Sequence, residues 1–246
     1  MLAGLKRFYY REQYNPGLGG LFINPFFLAR RALWRAVAGA GGQMRGRLLD
    51  VGCGTKPYRA LFDVTRYVGL DIDNALTRAR AVADAFYDGG SFPFDDGAFD
   101  SVLCNQVLEH VFTPDAFVRE CCRVLVPGGK LLLTVPFVWD EHEQPFDFAR
   151  YSSFGLKSLL EKNGFRIVSH RKLLSDASIL FQLCNAYLFK VTRSRWTMLN
   201  LVSCVLLFAP LSALGLLLGA VLPRNPDLFM DQLVVAEKDL IGTGHA

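Results

Sequence analysis

The sequence lacks the cysteine and histidine spacings from which metal centres and disulfide frameworks are built. Its six cysteines, at 53, 104, 121, 122, 184 and 204, make no C-x-x-C pair and no ligand spacing with the four histidines. No metal site and no crosslink is expected, and a reduced, cytoplasmic compartment follows. There is no internal repeat and no low-complexity tract. Nor is there a basic stripe interleaved with aromatics, and a net charge of only +4 gives no argument for a nucleic-acid partner. Met1 to Tyr14 carries Lys6, Arg7 and Arg11 without a continuous apolar core, so it is not read as a secretory signal.

What is present is an α/β pattern. With 246 residues, 51% of them hydrophobic, the chain can bury a full core, and strand and helix signals alternate as an open parallel sheet requires. Leu48-Leu49-Asp50-Val51-Gly52-Cys53-Gly54-Thr55 reads as an apolar strand and a two-glycine turn into a helix. Tyr67-Val68-Gly69-Leu70-Asp71-Ile72 reads as a second strand ending in a carboxylate. Glycines there let a backbone approach a nucleoside-bearing ligand, and the acid accepts bonds from ribose hydroxyls. A dinucleotide fingerprint needs a third glycine three residues after Gly54, where this chain has Pro57. Proline suits the first turn of a helix but cannot supply bare backbone below a pyrophosphate. A ligand without pyrophosphate, S-adenosylmethionine foremost, fits better.

Three further stretches continue the pattern. Asp88-Gly89-Gly90-Ser91-Phe92-Pro93-Phe94 leads to Phe99-Asp100 and the strand Ser101 to Cys104. Asn105-Gln106-Val107-Leu108-Glu109-His110 follows, and Val124-Leu125-Val126-Pro127-Gly128-Gly129 opens a fifth strand ending at Pro136. From Arg47 to Ser169 the chain resembles the class I S-adenosylmethionine-dependent methyltransferases, in particular a large bacterial group, the type 11-like methyltransferases. The resemblance implies a Rossmann-like, seven-stranded, mostly parallel sheet with an antiparallel last strand, and S-adenosylmethionine as cofactor. It implies that Asp50, Gly52 and Gly54 contact the methionine part, that Asp71 holds the ribose diol, and that Asp88, with the Gly89 backbone, receives the adenine. Asn105 and Gln106 would line the pocket beside the methyl group. Asp88 and Asp100 could instead be turn-formers, as Asp95-Asp96-Gly97 is expected to be.

After the fifth strand, Phe137 to Ser152 mixes ionisable and aromatic residues in the loop where open α/β sheets keep their substrates. The string from His142 to Ser152 resembles an H-E-x-P-x-D-x-x-R-Y-S/T signature of a subgroup found with cell-surface saccharide synthesis. Methyl transfer from a sulfonium depends mainly on holding the acceptor in line and excluding water, and needs a base only when the acceptor is protonated. His142 is the first candidate base, oriented by Glu141, Glu143 or Asp147. Equally, His142 and Arg150 could knit the loop by hydrogen bonds. His110 is expected to be buried and structural. Ser152 should cap a helix over Ser153 to Lys162, with a sixth strand over Phe165 to Ser169.

Three regions divide the chain: an N-terminal cap over 1–46, a cofactor-binding domain over 47–176 and 230–240, and an insertion over 177–224. In the first, an Arg-rich amphipathic run from Phe26 to Ala38 is expected to cover the cofactor mouth, although its aromatics suit an apolar substrate or a membrane interface as well. In the insertion, Leu199 to Leu222 carries no charge and is long enough to span a bilayer. Because Gln232 to Lys238 reads as the last strand of the sheet, the chain must return, so a helical hairpin is expected, its second arm bent at Pro210 and Gly215. Lys190, Arg193, Arg195 and Arg224 lie at its ends, where anionic headgroups could be met. The expected protein is a methyltransferase at the inner face of the cytoplasmic membrane, acting on a hydroxyl of a lipid-linked saccharide. The alternatives are a soluble small-molecule acceptor with the hairpin as lid, or a non-catalytic cofactor-binding module. Nothing in the sequence sets the oligomeric state.

Overall fold

The computed structural model describes residues 2–240, so Met1, the first residue of the expected cap, lies outside the described residues. The elements run α1 (Leu2–Tyr14), α2 (Gly20–Ile23), α3 (Phe27–Gly41), β1 (Arg47–Val51), β2 (Arg66–Ile72), α4 (Ala75–Arg80), β3 (Ala85–Tyr87) and β4 (Phe99–Asn105). They continue α5 (Pro114–Arg123), β5 (Leu125–Pro136), α6 (Ser153–Lys162), β6 (Phe165–Leu173), α7 (Ser178–Thr192), α8 (Thr197–Ser203), α9 (Ala209–Val221) and β7 (Asp231–Lys238).

The seven strands form one sheet in the order β3-β2-β1-β4-β5-β7-β6. β1 pairs in parallel with β2 and with β4, β2 with β3, and β4 with β5. A central parallel strand is covered on both faces, and so reads as an unbroken apolar run. Leu48, Leu49 and Val51 of β1 and Leu131, Leu132 and Leu133 of β5 are accordingly buried. β7 is antiparallel to β6: the Asp239 amide donates to the Gly164 carbonyl at 3.1 Å, and the Met230 amide to that of Leu173 at 3.0 Å. The strand order reverses between β1 and β4, so the crevice at their carboxyl ends is where such sheets hold ligands.

The helix expected after Gly54 is absent. Lys56 takes a left-handed backbone (φ 53°), Pro57 lies in a turn, and only a single 3-10 turn, Arg59–Leu61, follows before β2. Proline alone would be tolerated at a first helical turn, but here the left-handed Lys56 sends the chain into a turn at Pro57 instead of a helix. The Ser152 cap is as expected, its hydroxyl accepting from the Gly155 amide at 3.2 Å. β6 runs on to Leu173, four residues beyond its expected end.

The chain divides into two compact units. One holds 37–137, 141–171 and 232–246, the other 1–36, 138–140 and 172–231. The cap up to residue 36 and the insertion, separate in the sequence reading, thus share a unit, while 37–46 belong with the sheet. The buried Gln182 of α7 ties them, donating to the Pro25 carbonyl at 3.2 Å and accepting from the Ala29 amide at 3.1 Å. The hairpin is present: α7 is one arm, and α8, a π-helical turn over Cys204–Phe208 and α9 are the other. Buried Asn185 donates to Ser212 Oγ at 2.9 Å and Ser178 donates to the Gly215 carbonyl at 2.9 Å, locking the arms together. The irregularity in the second arm is the π turn just before Pro210, where a missing backbone donor is tolerated. Gly215 lies inside α9, which runs from Ala209 to Val221. A Cβ there would lie 2.9 Å from that of Phe181, so the glycine is a close-packing point.

Candidate functional site

At the end of β1 the chain turns on Gly52, at φ 68°, and Gly54, at φ 51°. A Cβ on Gly52 would lie 2.4 Å from Val107 Cγ2, so both the backbone angle and the packing exclude a side chain. At Gly54 a Cβ would meet nothing within 4 Å: the backbone faces open space. The Gly52 and Cys53 amides both donate to the Leu70 carbonyl, at 2.8 and 3.1 Å. Asp71, one residue on, accepts from the Gly54 amide through Oδ2 at 3.1 Å and from the Ile72 amide through Oδ1 at 2.9 Å. The glycine turn and the second-strand acid, adjacent only in the fold, are therefore one assembly.

The turn is held by Lys56, Asp84 and Tyr67, to which the motifs give no role, together with Asp50. Lys56 Nζ pairs with Asp84 at 2.6 Å, and the same carboxylate accepts from the Gly69 amide at 2.7 Å. Asp50 is buried and accepts from the Tyr67 hydroxyl at 2.6 Å. Burial pushes its carboxyl up to about 7, against the smaller opposing pull of Tyr67 and Lys56. The Cys53 thiol, pushed up to about 12 by burial and then by Asp50, is no nucleophile. Asp88 is exposed and accepts from the Gly90 amide at 2.9 Å, an Asx turn of the kind the sequence left open, beside Gly89 at φ 96°. Asn105 and Gln106 meet at Thr134, their cross-strand neighbour on β5. The Thr134 hydroxyl donates to Asn105 Oδ1 at 2.8 Å, and the Gln106 amide, at φ 56°, donates to the Thr134 carbonyl at 3.0 Å. Only the register, Asn105 opposite Thr134, would have revealed that role.

A second group forms between the 3-10 turn Leu108–His110 and the loop after β5. The Phe148 and Ala149 amides donate to the Glu109 carbonyl at 2.8 and 3.2 Å. Asp147 is gripped by Arg150 at 2.6 and 2.7 Å and accepts from the His142 amide at 3.0 Å. The Arg150 fork holds its carboxyl down at about 2. His142 Nδ1 lies 3.3 Å from Asp147 Oδ2, so Asp147, among the three acids considered, is its orienter. Glu143 is exposed at φ 50° and serves the loop through its carbonyl, which accepts from the Phe146 amide at 3.1 Å. His110 is not merely structural filling: its ring meets that of His142 edge-on, centroids 4.8 Å apart, and its Nδ1 lies 2.6 Å from the Phe146 carbonyl. Glu109, His110 and His142 each bring one ligand atom, all within 4.8 Å of one another, a grouping that spacing along the chain does not reveal.

The geometry agrees with similarity to known proteins. Residues 49–133 match a family described as a methyltransferase domain. Over 134 residues the chain is 36% identical to a "Probable S-adenosylmethionine-dependent methyltransferase" of Mycolicibacterium smegmatis, covering 49% of this chain and 52% of that one. Over 106 residues it is 55% identical to the ubiquinone biosynthesis O-methyltransferase of Xanthomonas oryzae pv. oryzae, covering 36% and 42%. The chain spans about half the length of the curated relatives it matches, or less. Among solved structures, phosphoethanolamine N-methyltransferase 2 of Haemonchus contortus in complex with S-adenosyl-L-methionine superposes with a TM-score of 0.53. The identity is 18%, over 94% of this chain and 59% of that one, a likeness of fold. Residues 49–133 are therefore similar to a methyltransferase domain, and the Rossmann-like sheet that carries them has the fold of a known methyltransferase.

Proposed function

We propose that the protein is an S-adenosylmethionine-dependent methyltransferase acting on a hydroxyl of a lipid-linked saccharide or another membrane-presented acceptor. One observation carries the cofactor reading: the Gly54 backbone faces open space while its amide is tied to the second-strand acid, Asp71. When bound, S-adenosylmethionine supplies a methyl group on a positively charged sulfonium. The chain's part is to hold and orient. Gly52, Gly54 and Asp50 would take the amino-acid end, Asp71 the ribose, and Asp88 with Gly89 the adenine. Asn105 and Gln106, fixed by Thr134, would line the methyl side. Positioning of this kind supplies most of the catalysis for an in-line displacement. His142, oriented by Asp147 and the Arg150 fork, stands ready for the acceptor's proton.

The acceptor class rests on the hairpin. Thr197–Val221 is a continuous 25-residue apolar helix, only 28% buried across its most apolar stretch. Leu199, Leu206, Leu217 and Val221 are exposed along it, and Arg193, Arg195 and exposed Trp196 sit at the turn from α7. Apolar faces ending in arginine and tryptophan suit a bilayer interface. α7 has 15 residues, about 22 Å at 1.5 Å per residue. That is short of a hydrocarbon core of about 30 Å, which favours lying in one leaflet over crossing and returning. An enzyme held at the inner face of the membrane meets acceptors whose reactive head is presented there.

Incubation with radiolabelled methyl donor and separate lipid and aqueous extracts tests the reading, with label expected in the lipid phase. Label confined to the aqueous phase, with the protein recovered wholly in the soluble fraction, overturns the lipid-linked acceptor. The likeness to ubiquinone biosynthesis O-methyltransferases favours a second reading, a hydroxyl of a quinone precursor. In that case label would appear in an aromatic small molecule.

A further inference from the structure

We propose that Glu109, His110 and His142 bind one divalent cation of the zinc class, through one carboxylate oxygen and one nitrogen from each imidazole. The three ligand atoms lie within 4.8 Å of one another, and the His110 Nε2 to Glu109 Oε1 separation is 3.9 Å. A tetrahedral zinc with bonds of about 2.0–2.1 Å needs its ligands about 3.4 Å apart, so the three groups would draw together as the ion binds.

Polarisation of the two rings argues for a metal over a packed histidine pair. The Phe146 carbonyl, 2.6 Å from His110 Nδ1, can only accept, so Nδ1 carries the proton and Nε2 presents its lone pair on the Glu109 side. Asp147 faces His142 Nδ1 at 3.3 Å and is itself fixed by Arg150, which makes Nε2 the coordinating nitrogen of that ring. A carbonyl or carboxylate behind each imidazole is the second shell that metal-binding histidines use. The Glu109 backbone is sewn to the same loop by the Phe148 and Ala149 amides, and its side chain is fully buried. Two imidazoles and one carboxylate form a borderline donor set suited to zinc, with a fourth position open.

The role of the cation, though not its binding, rests on the methyltransferase reading. A hydroxyl entering the open position would lose its proton to solvent more readily. Its oxygen would then form the new C–O bond as the C–S bond breaks, the electron pair going to sulfur to leave a neutral thioether. With the ion bound, His142 is a ligand and no longer the base that takes the acceptor's proton; no separate base is needed.

The test is calorimetric titration of the tag-free, chelator-stripped full chain with zinc chloride, and with cobalt(II) for its visible absorption. One equivalent is expected to bind, with the spectrum of four-coordinate cobalt. His142→Gln, on a half-exposed loop, should weaken binding at least about tenfold. Asp147→Asn, which touches no metal, should weaken it about 10- to 100-fold. No stoichiometric binding overturns the site, and so does binding unchanged by both substitutions, which would place the metal elsewhere on the chain. The same protein is titrated with S-adenosylmethionine. Cofactor binding without zinc binding overturns the metal site alone, and zinc binding without cofactor binding overturns the methyltransferase reading alone.

Discussion

Two carboxylates in the sheet unit, Asp50 below the glycine turn and Asp147 in the loop after β5, are driven in opposite directions. Asp50 is wholly enclosed, and burial outweighs the opposing hydrogen bond from the Tyr67 phenol, so its proton is retained up to about 7. Asp147 is also largely enclosed, but the Arg150 fork holds it at about 2. Burial alone therefore does not fix the charge of an acid; the nearest charge of opposite sign does. The first region is built to receive a charge, the second to hold one in place.

The largest effect that would break this comparison is in the pH dependence of stability. The folded pKa of Asp50 lies above its unfolded value of 3.8, so its contribution is complete below about 4 and is lost as pH rises toward 7. Three pH units correspond to about 4 kcal/mol. Asp50→Asn should flatten the denaturant-midpoint profile between pH 4 and 7; parallel profiles for the two proteins would show that Asp50 titrates normally. Next is the pair of glycines. Gly52→Ala should cost about 3 kcal/mol, from the left-handed backbone and the contact with Val107. Gly54→Ala should cost only about 1 kcal/mol yet still impair cofactor binding, because its Cβ occupies the space a ligand would enter. Equal losses of stability in the two variants would contradict the geometry.

Smaller again is Asp147→Ala, expected at about 2 kcal/mol because Arg150 loses a largely buried partner. Chemical denaturation measures it, and a change below about 0.5 kcal/mol would mean that the loop holds without the fork. Asp88→Ala, exposed in its turn, should change stability by less than about 0.5 kcal/mol. If Asp88 receives the adenine, cofactor affinity in that variant should fall about tenfold, or about 1.4 kcal/mol. An unchanged isotherm would leave Asp88 as a turn-former.

The crevice at the end of β1 was legible because its parts are contiguous: a strand, two glycines, and an acid at the end of the next strand. The antiparallel last strand and the hairpin before it were legible too, since an uncharged run followed by a strand forces the chain to return. The missing helix after Gly54 was not, because Pro57 was read as a helix start without the left-handed Lys56 before it. The grouping of Glu109 with His110 and His142 is not legible in the sequence for a different reason. They come from two loops joined by backbone bonds to the Glu109 carbonyl, and no spacing along the chain encodes that. Thr134 and Tyr67 act only across strand registers, which become visible once the sheet is assembled.

The bond between the Met230 amide and the Leu173 carbonyl fixes the exit and re-entry points of the excursion side by side. Everything between them can lengthen, shorten or change its chemistry without shifting the register of β6 against β7. The hairpin is in that sense an interchangeable attachment on a fixed socket. A related chain could exchange it for a different anchor, or a plain turn, and still assemble the same sheet.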